Sequence, residues 1–520
     1  MGRLARVVLL IAVGLAALAS CGRGPDLSSA VAVEAAPRID PDYASVVIPP
    51  NIAPLNFRVL EEGRDCVVRI SSDAAPPVEI HCPDRKCCMA LKPWRELLGR
   101  NKGRHLYYDI FVRQAGGAWT RFARFTNTVA EEPIDPWIAY RQLVPNNQKS
   151  NIRGIFQRDL ESFETRAVVT MPADDKSVCF NCHSFCQNDP NRFLIHVRGD
   201  HPGMIIVADG KVRKINTQQP PLWRPLAYAS WHPAGGHIAA TLNQFDGYFS
   251  SIEKDVAFQF QAVEKRGALV VYNVEKNLIN TTPNLVGNTD IETHPCWSAD
   301  GKYIYYVRCK AQPLRSRRDL DAFRFDLMRV SYDIATDVWG PREMVMEFSK
   351  SGKSCSFPRP SPDGRYILHI LADRTTYPIH QKSSDLYVLD LRTKLDRKLA
   401  AASSDLSESY PRWSSNGRWF SFLSSRHGGL SALPYFAYFD AEGNDHKAVL
   451  LPQEDPAFYD TFTDTYNTLE LVKSKITISP FTLFQALTQT GEPARVANPP
   501  KLDAHTEAPR LAPPQTPRTQ

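Results

Sequence analysis

The run Cys179-Phe180-Asn181-Cys182-His183 holds the densest chemistry in this 520-residue chain. Cys-x-x-Cys-His is the spacing by which a c-type haem is attached. Two thiols add to the two vinyl groups of the porphyrin edge, and the two-residue gap lets one turn of backbone reach both. The histidine that follows directly then stands under the macrocycle as proximal iron ligand. With 11 cysteines and 13 histidines in the chain, composition alone gives about 0.006 such runs by chance. Cys186, just beyond His183, leaves a second arrangement open. Cys179, Cys182 and Cys186 with His183 would make a thiolate-rich metal site or a disulfide.

A sixth iron ligand separates electron carriers, which fill that position with His or Met, from catalytic haems, which leave it open. His196, in Phe193-Leu194-Ile195-His196-Val197-Arg198, alternates on an expected strand after the motif and is the first choice. His201 and Met204 follow, and Met171 precedes the motif; the bland alternative for His196 is a satisfied core or surface histidine. Arg198 suits a haem propionate because its planar fork matches a carboxylate. His232 and His294, beside repeated turns, read as structural. No Gly-x-Ser-x-Gly elbow, His-Glu-x-x-His helix or phosphate-cradling glycine loop occurs. Paired carboxylates such as Asp174-Asp175 belong to a solvated surface, and nothing supports hydrolysis.

The N-terminus bears on whether a haem could be attached. Arg3 and Arg6 precede an apolar run, Val7 to Ala17, of signal-peptide length. That run is shorter than the roughly 20 residues of a membrane span. Leu18-Ala19-Ser20-Cys21 resembles the lipobox of bacterial lipoproteins, in which the cysteine is lipidated and becomes the first mature residue. The alternative is an ordinary cleaved signal with Cys21 incidental. Both export the chain, and the expected place is the periplasmic side of a bacterial membrane or the cell surface, held by lipid. In that oxidising setting Cys66, Cys82, Cys87 and Cys88 suit disulfides; with His81 they could bind a metal, but no standard ligand spacing is present. Cys296, Cys309 and Cys355 read as small buried hydrophobes.

These groups must be positioned by a mainly β chain. Short apolar runs are punctuated throughout by Gly, Pro, Asn and Asp, and the net charge of +6 is spread without a basic stripe, so nucleic-acid binding is not implied. The order expected is a signal peptide (1–20), a flexible tether (21–45), a small N-terminal β-sandwich-like domain (46–140) and a haem-binding segment (141–190). A repetitive region (191–480) and a disordered Pro-rich tail (481–520) follow. Four segments of the repetitive region align: Trp231-His232-Pro233-Ala234-Gly235-Gly236, Trp297-Ser298-Ala299-Asp300-Gly301-Lys302, Pro360-Ser361-Pro362-Asp363-Gly364-Arg365 and Trp413-Ser414-Ser415-Asn416-Gly417-Arg418. Each makes a tight turn into an alternating apolar strand. Gly235, Gly301, Gly364 and Gly417 stand 66, 63 and 53 residues apart, a period that implies propeller blades with long loops.

These repeats resemble the TolB-type β-propeller, and the resemblance implies five to seven blades, six preferred. A wider resemblance is to exported bacterial proteins that join an N-terminal β domain, a Cys-x-x-Cys-His segment and a TolB-like propeller. It is carried by Pro49-Pro50-Asn51-Ile52-Ala53-Pro54-Leu55-Asn56-Phe57, Phe125-Thr126-Asn127, Glu132-Pro133-Ile134-Asp135-Pro136, Gln157-Arg158-Asp159-Leu160-Glu161-Ser162-Phe163-Glu164 and Cys182-His183-Ser184-Phe185.

The expectation is thus a lipid-anchored monohaem c-type cytochrome that passes single electrons to a redox partner protein in the cell envelope. One covalent haem c would be held by Cys179 and Cys182, with His183 and His196 on the iron, and the propeller would be the docking platform. Two alternatives are a protein-binding scaffold in which the haem or metal is structural, and a haem enzyme with an open axial position.

Overall fold

The computed structural model describes residues 25–498 apart from 83, 145–151, 172–177, 221, 223–225, 251–258, 283–284, 286–288, 380 and 428–430. The chain is mainly β, as expected. Its N-terminal part is built around the long strand His105–Arg113, which pairs with Asp65–Ser71, Trp119–Arg121 and Phe125–Val129 in a seven-stranded sheet. A helix, Leu91–Arg100, buries Trp94, Leu97 and Leu98 against it. The tether expected at 21–45 is corrected over its described part. Leu27, Ile39 and Tyr43 are buried, and Val31–Ala32 pairs with Thr120 and Arg121. Asn127 fixes this entry segment, its amide donating to Tyr43 O and its carbonyl accepting from Val46 N–H.

The remainder is a succession of four-stranded antiparallel meanders, five of which begin with an inner strand. Five inner strands are β1 (Val178–Phe185), β2 (Leu226–Trp231), β3 (Asp290–Trp297), β4 (Ser354–Pro360) and β5 (Glu408–Trp413). The sixth, β6 (Thr465–Val472), completes a sheet begun far earlier by Trp137–Leu143, Ile152–Asp159 and Thr165–Thr170. Consecutive inner strands abut, and β6 abuts β1, so the inner strands close a ring about an axis. Apolar clusters fill the spaces between meanders; one contains Phe193, Ile195 and Val472, another Leu194, Met204 and Trp231. The segment 141–190 is therefore strands of two neighbouring meanders. The expected disordered tail is ordered up to residue 498, where Pro480–Thr488 is a helix and Arg495–Ala497 pairs with Leu278–Asn280.

The repeated turns have a local cause. Ser298 and Ser414 hydroxyls bond the Asp300 and Asn416 side chains at 2.6 Å, and each accepts the backbone N–H five residues on, at 3.0 Å. Ser361 and Asp363 do the same. Gly301 has φ +72°, and a Cβ there would lie 2.2 Å from His232 Nε2 of the preceding meander, so only glycine fits.

Inner strands β2 to β6 share an irregularity. Each carries a β-bulge against its neighbour, and one residue of each bulge is left-handed: Tyr228 (φ 50°), His294 (53°), Phe357 (51°), Tyr410 (51°) and Thr468 (47°). Pro295, Pro358 and Pro411 follow three of them, at positions where a bulge leaves the N–H without a ladder partner. The register of β1 is interrupted in the same way between Phe180 and His183.

Tryptophans just past the bulges staple neighbouring inner strands. Trp231 Nε1 donates to Ser184 O at 3.0 Å, and Trp413 Nε1 donates to Arg359 O at 2.9 Å. Trp413→Phe keeps most of the ring volume but leaves a buried carbonyl unpaired, so denaturant unfolding is expected to show a loss of about 1–3 kcal/mol. Unchanged stability would mean that the indole N–H does not hold β4 to β5.

Candidate ligand-binding site

The bulges deliver side chains to the axis. A left-handed residue re-aims the strand, and the residue two positions on faces the next inner strand close to the axis. The residues so placed are Ser230, Cys296, Arg359, Arg412 and Glu470, and all five line one cavity of about 130 Å³. Ser184, Phe185, Trp231, Trp297 and Trp413 also line it, with residues of the repeated turns such as Ser298 and Ser361. Below it the left-handed residues form an aromatic plug. His294 stacks on Phe357 with ring centroids 4.0 Å apart, and Tyr228 and Tyr410 flank the pair at 4.3 and 4.7 Å.

The cavity wall is a polar chain running from strand to strand. Ser230 Oγ lies 3.7 Å from Cys296 Sγ and accepts the Trp297 N–H. The Arg359 guanidinium hydrogen-bonds Cys296, and Arg412 stands 3.2 Å from Glu470 Oε1. Glu470 Oε2 accepts the Phe185 N–H at 3.1 Å, which carries the chain to β1. Arg359 is only 8% exposed, and its Nε has no hydrogen-bond partner. Burial, reinforced by Arg412, pulls its guanidinium down to about 10. Burial pushes the Glu470 carboxyl up, against the opposing pull of Arg412. His294 accepts the Phe357 N–H at Nδ1, which places its own proton on the unpartnered Nε2. Burial, then Arg359 and Arg412, hold that ring well below the ordinary histidine value, so it is neutral. Two guanidiniums against one carboxylate leave surplus positive charge in the cavity wall.

The expected haem residues lie elsewhere. Cys21 and the side chain of Cys179 fall outside the described residues. Cys182 is partly buried on β1, with the Thr468 hydroxyl 3.9 Å from its Sγ. His183 is opposite Ile195 and packs on Phe185 at 5.7 Å between ring centroids, facing the sheet of β6. Burial, then Arg412 and Arg141, push it down to about 3. His196 is opposite Met204 and faces the sheet of β2, as does Arg198 two residues on. His196 is fully buried, and burial, then Arg198 and Arg141, hold it well below its ordinary value. The two histidines thus leave opposite faces of one sheet and cannot both ligate one iron. The motif also lies along an extended, bulged strand rather than the single turn expected to bring two thiols together. Of the runners-up, Met204 shares the face of His196, and neither His201 nor Met171 lines the axial cavity.

The expectation of a one-electron monohaem cytochrome is corrected on this geometry: a haem held between His183 and His196 does not fit. The thiolate-rich alternative is corrected as well. Cys186 lies in the core on the face away from His183, its Sγ 3.5 Å from His232 O, and no three His, Cys, Asp or Glu side chains among the described residues converge on a metal position. Cys66, Cys82 and Cys87 are buried thiols and Cys88 is exposed. Cys309 and Cys355 are buried as expected, but Cys296 is partly exposed in the cavity wall.

The cavity residues carry a signal in the sequence that the repeated turns overshadow. His294-Pro295-Cys296-Trp297, Phe357-Pro358-Arg359-Pro360 and Tyr410-Pro411-Arg412-Trp413 repeat a ring-Pro-x pattern directly before three of the aligned turns. Ring-Pro in mid-strand marks a bulge, and x is the residue aimed at the axis.

No family model matches the chain, and no curated protein matches it. Among solved structures it is similar to an oligogalacturonate lyase in complex with manganese, at 11% identity and TM-score 0.35 over 78% of this chain and 99% of that one. It is also similar to a hypothetical selenium-binding protein from Sulfolobus tokodaii, at 10% identity and TM-score 0.37 over 67% and 96% of the two chains. A third is a Pseudomonas aeruginosa periplasmic gluconolactonase, at 11% identity and TM-score 0.32 over 61% and 97%.

The neutral His294 has a consequence for acid stability. Its folded value lies below its unfolded value of 6.5, so the unfolded chain binds the extra proton. The stability it contributes is complete above about pH 6.5 and is lost as pH falls toward the folded value. His294→Gln is expected to flatten this acid limb by up to about 1.4 kcal/mol per pH unit in denaturant titrations between pH 6.5 and 4.5. An unchanged slope would place the buried ring in contact with solvent.

Proposed function

We propose that this protein is a six-bladed, TolB-like propeller that binds a small carboxylate-bearing ligand at the axial mouth. The observation that carries the reading is Arg359, buried beside Arg412 in an open-ended cavity with its Nε unpartnered. A guanidinium kept out of water at that cost is expected to meet an anion, and its planar fork suits a carboxylate. A cavity of about 130 Å³ accepts one head group, with the rest of the ligand projecting past Trp231, Trp297 and Trp413. The six meanders serve as six blades, and their shared purpose is to hold these groups rigidly.

Calorimetric titration with acetate, malonate, citrate, sulfate and phosphate tests the reading. Binding of one or more carboxylates, weakened by about 30-fold or more in Arg359→Gln, is expected. No heat with any of these anions would overturn it. Glu470 competes with the ligand for Arg412, which sets the sign of the pH effect. As pH falls and the raised carboxyl of Glu470 gains a proton, Arg412 is released and affinity rises. Glu470→Gln is expected to bind tightly at both ends of the range from pH 8 to 5 and to lose that dependence. A wild-type affinity that falls with pH would reverse the assignment.

The setting belongs to the same proposal. Arg3, Arg6 and the run ending in Cys21 support export and lipid attachment outside the cytoplasm. Labelled palmitate fed to expressing cells is expected to mark the wild type and not Cys21→Ser; equal labelling would remove the anchor.

A further inference from the structure

The same cavity holds a thiol that carboxylate binding does not require. Cys296 stands on β3 at the position aimed to the axis, between Ser230 and Arg359. Its Sγ lies 3.7 Å from the Ser230 hydroxyl and within hydrogen-bond reach of the Arg359 guanidinium. Cys309 and Cys355, on the same and the next meander, are sealed in apolar clusters, whereas Cys296 is partly exposed. The independent sign of a ligand is Arg359, more than nine-tenths buried and with an unpartnered Nε in the same wall. An anion drawn to that guanidinium is brought beside the sulfur, because one arginine touches both.

We propose that Cys296 captures covalently a carboxylate that carries an electrophilic carbon next to its anionic group. The inference depends on the carboxylate reading above. In the simplest instance the ligand is an α-halo acid. The sulfur forms the new S–C bond and the carbon–halogen bond breaks. The halide leaves with the electron pair, and the thiol proton passes to solvent. No oxidant or cofactor is needed. The guanidinium orients the carboxylate, the tryptophan wall limits the approach, and proximity supplies the acceleration.

The test compares iodoacetate with neutral iodoacetamide on the reduced full-length protein, with labelled peptides quantified by mass spectrometry. Cys88, exposed and remote from the cavity, is the internal reference. Cys296 is expected to prefer iodoacetate over iodoacetamide by at least about tenfold relative to Cys88, to be protected by whichever carboxylate binds in calorimetry, and to lose its preference in Arg359→Gln. Cys296→Ser is expected to remove the cavity label. Equal preference at Cys296 and Cys88, with carboxylate binding intact in calorimetry, would overturn the capture proposal and leave the binding reading standing. Equal preference with no carboxylate binding would overturn both. Since Arg359→Gln could destabilise the ring, protection of wild-type Cys296 by the bound carboxylate makes the same distinction without a mutation.

Discussion

The left-handed residue in the bulge of each of the inner strands β2 to β6 is the constraint on which the structure depends. A regular strand alternates its side chains between the two neighbouring meanders and sends none to the axis. Placing Tyr228, His294, Phe357, Tyr410 and Thr468 at φ between 47° and 53° breaks that alternation once per strand. Non-glycine residues in this region are strained, by about 1–3 kcal/mol each, so the arrangement persists only because its surroundings enforce it. Stacking of the rings into the axial plug, prolines that give up their N–H groups without penalty, and indole staples one residue beyond all supply that enforcement.

Above the plug, electrostatics rather than packing dominates. Two guanidiniums share the cavity wall, and Glu470 offsets one of them. Burying a charge is unfavourable by several kcal/mol unless it is paired, and Arg359 satisfies only part of its fork through Pro358 O and Cys296. Had stability alone shaped this position, an apolar side chain would serve better. The wall is instead built of two polar runs, Ser230 to Arg359 and Arg412 to Phe185, that meet at two like-charged guanidiniums.

The N-terminal part belongs to this architecture. Ile39, Trp94 and Leu106 share one apolar cluster with Leu368, Trp413 and Leu471 of three meanders. Asp135 accepts the Ser415 N–H and hydroxyl at 2.7 and 2.6 Å, and Glu132 accepts from Tyr438. Directly after this clamp the chain enters the sheet that β6 later completes. The ring is closed by pairing residues more than 300 positions apart, such as Trp137 with Val472, and the clamp fixes where the first of those strands lies.

How much the sequence revealed depended on how far apart the deciding residues stand. The mainly β character and the repeated turns were legible, because in three of the four a Ser-x-Asp/Asn-Gly turn is stabilised by hydrogen bonds within about five residues and folds the same way wherever it occurs. Cys179 to His183 shows the opposite case. Whether two thiols and a histidine converge depends on whether the backbone turns or extends, and that is decided by pairing with Phe193–Gly199 and by the core against the sheet of β6. The same extension separates His183 from His196, since residues offset by one across a ladder face opposite ways. The cavity was least legible of all. Ser230, Cys296, Arg359, Arg412 and Glu470 are of four residue types, and only equivalent bulges on five strands bring them together. Local chemistry fixed the turns; the closed ring alone chose which side chains meet at the axis, because convergence is a property of chain paths and not of any one segment.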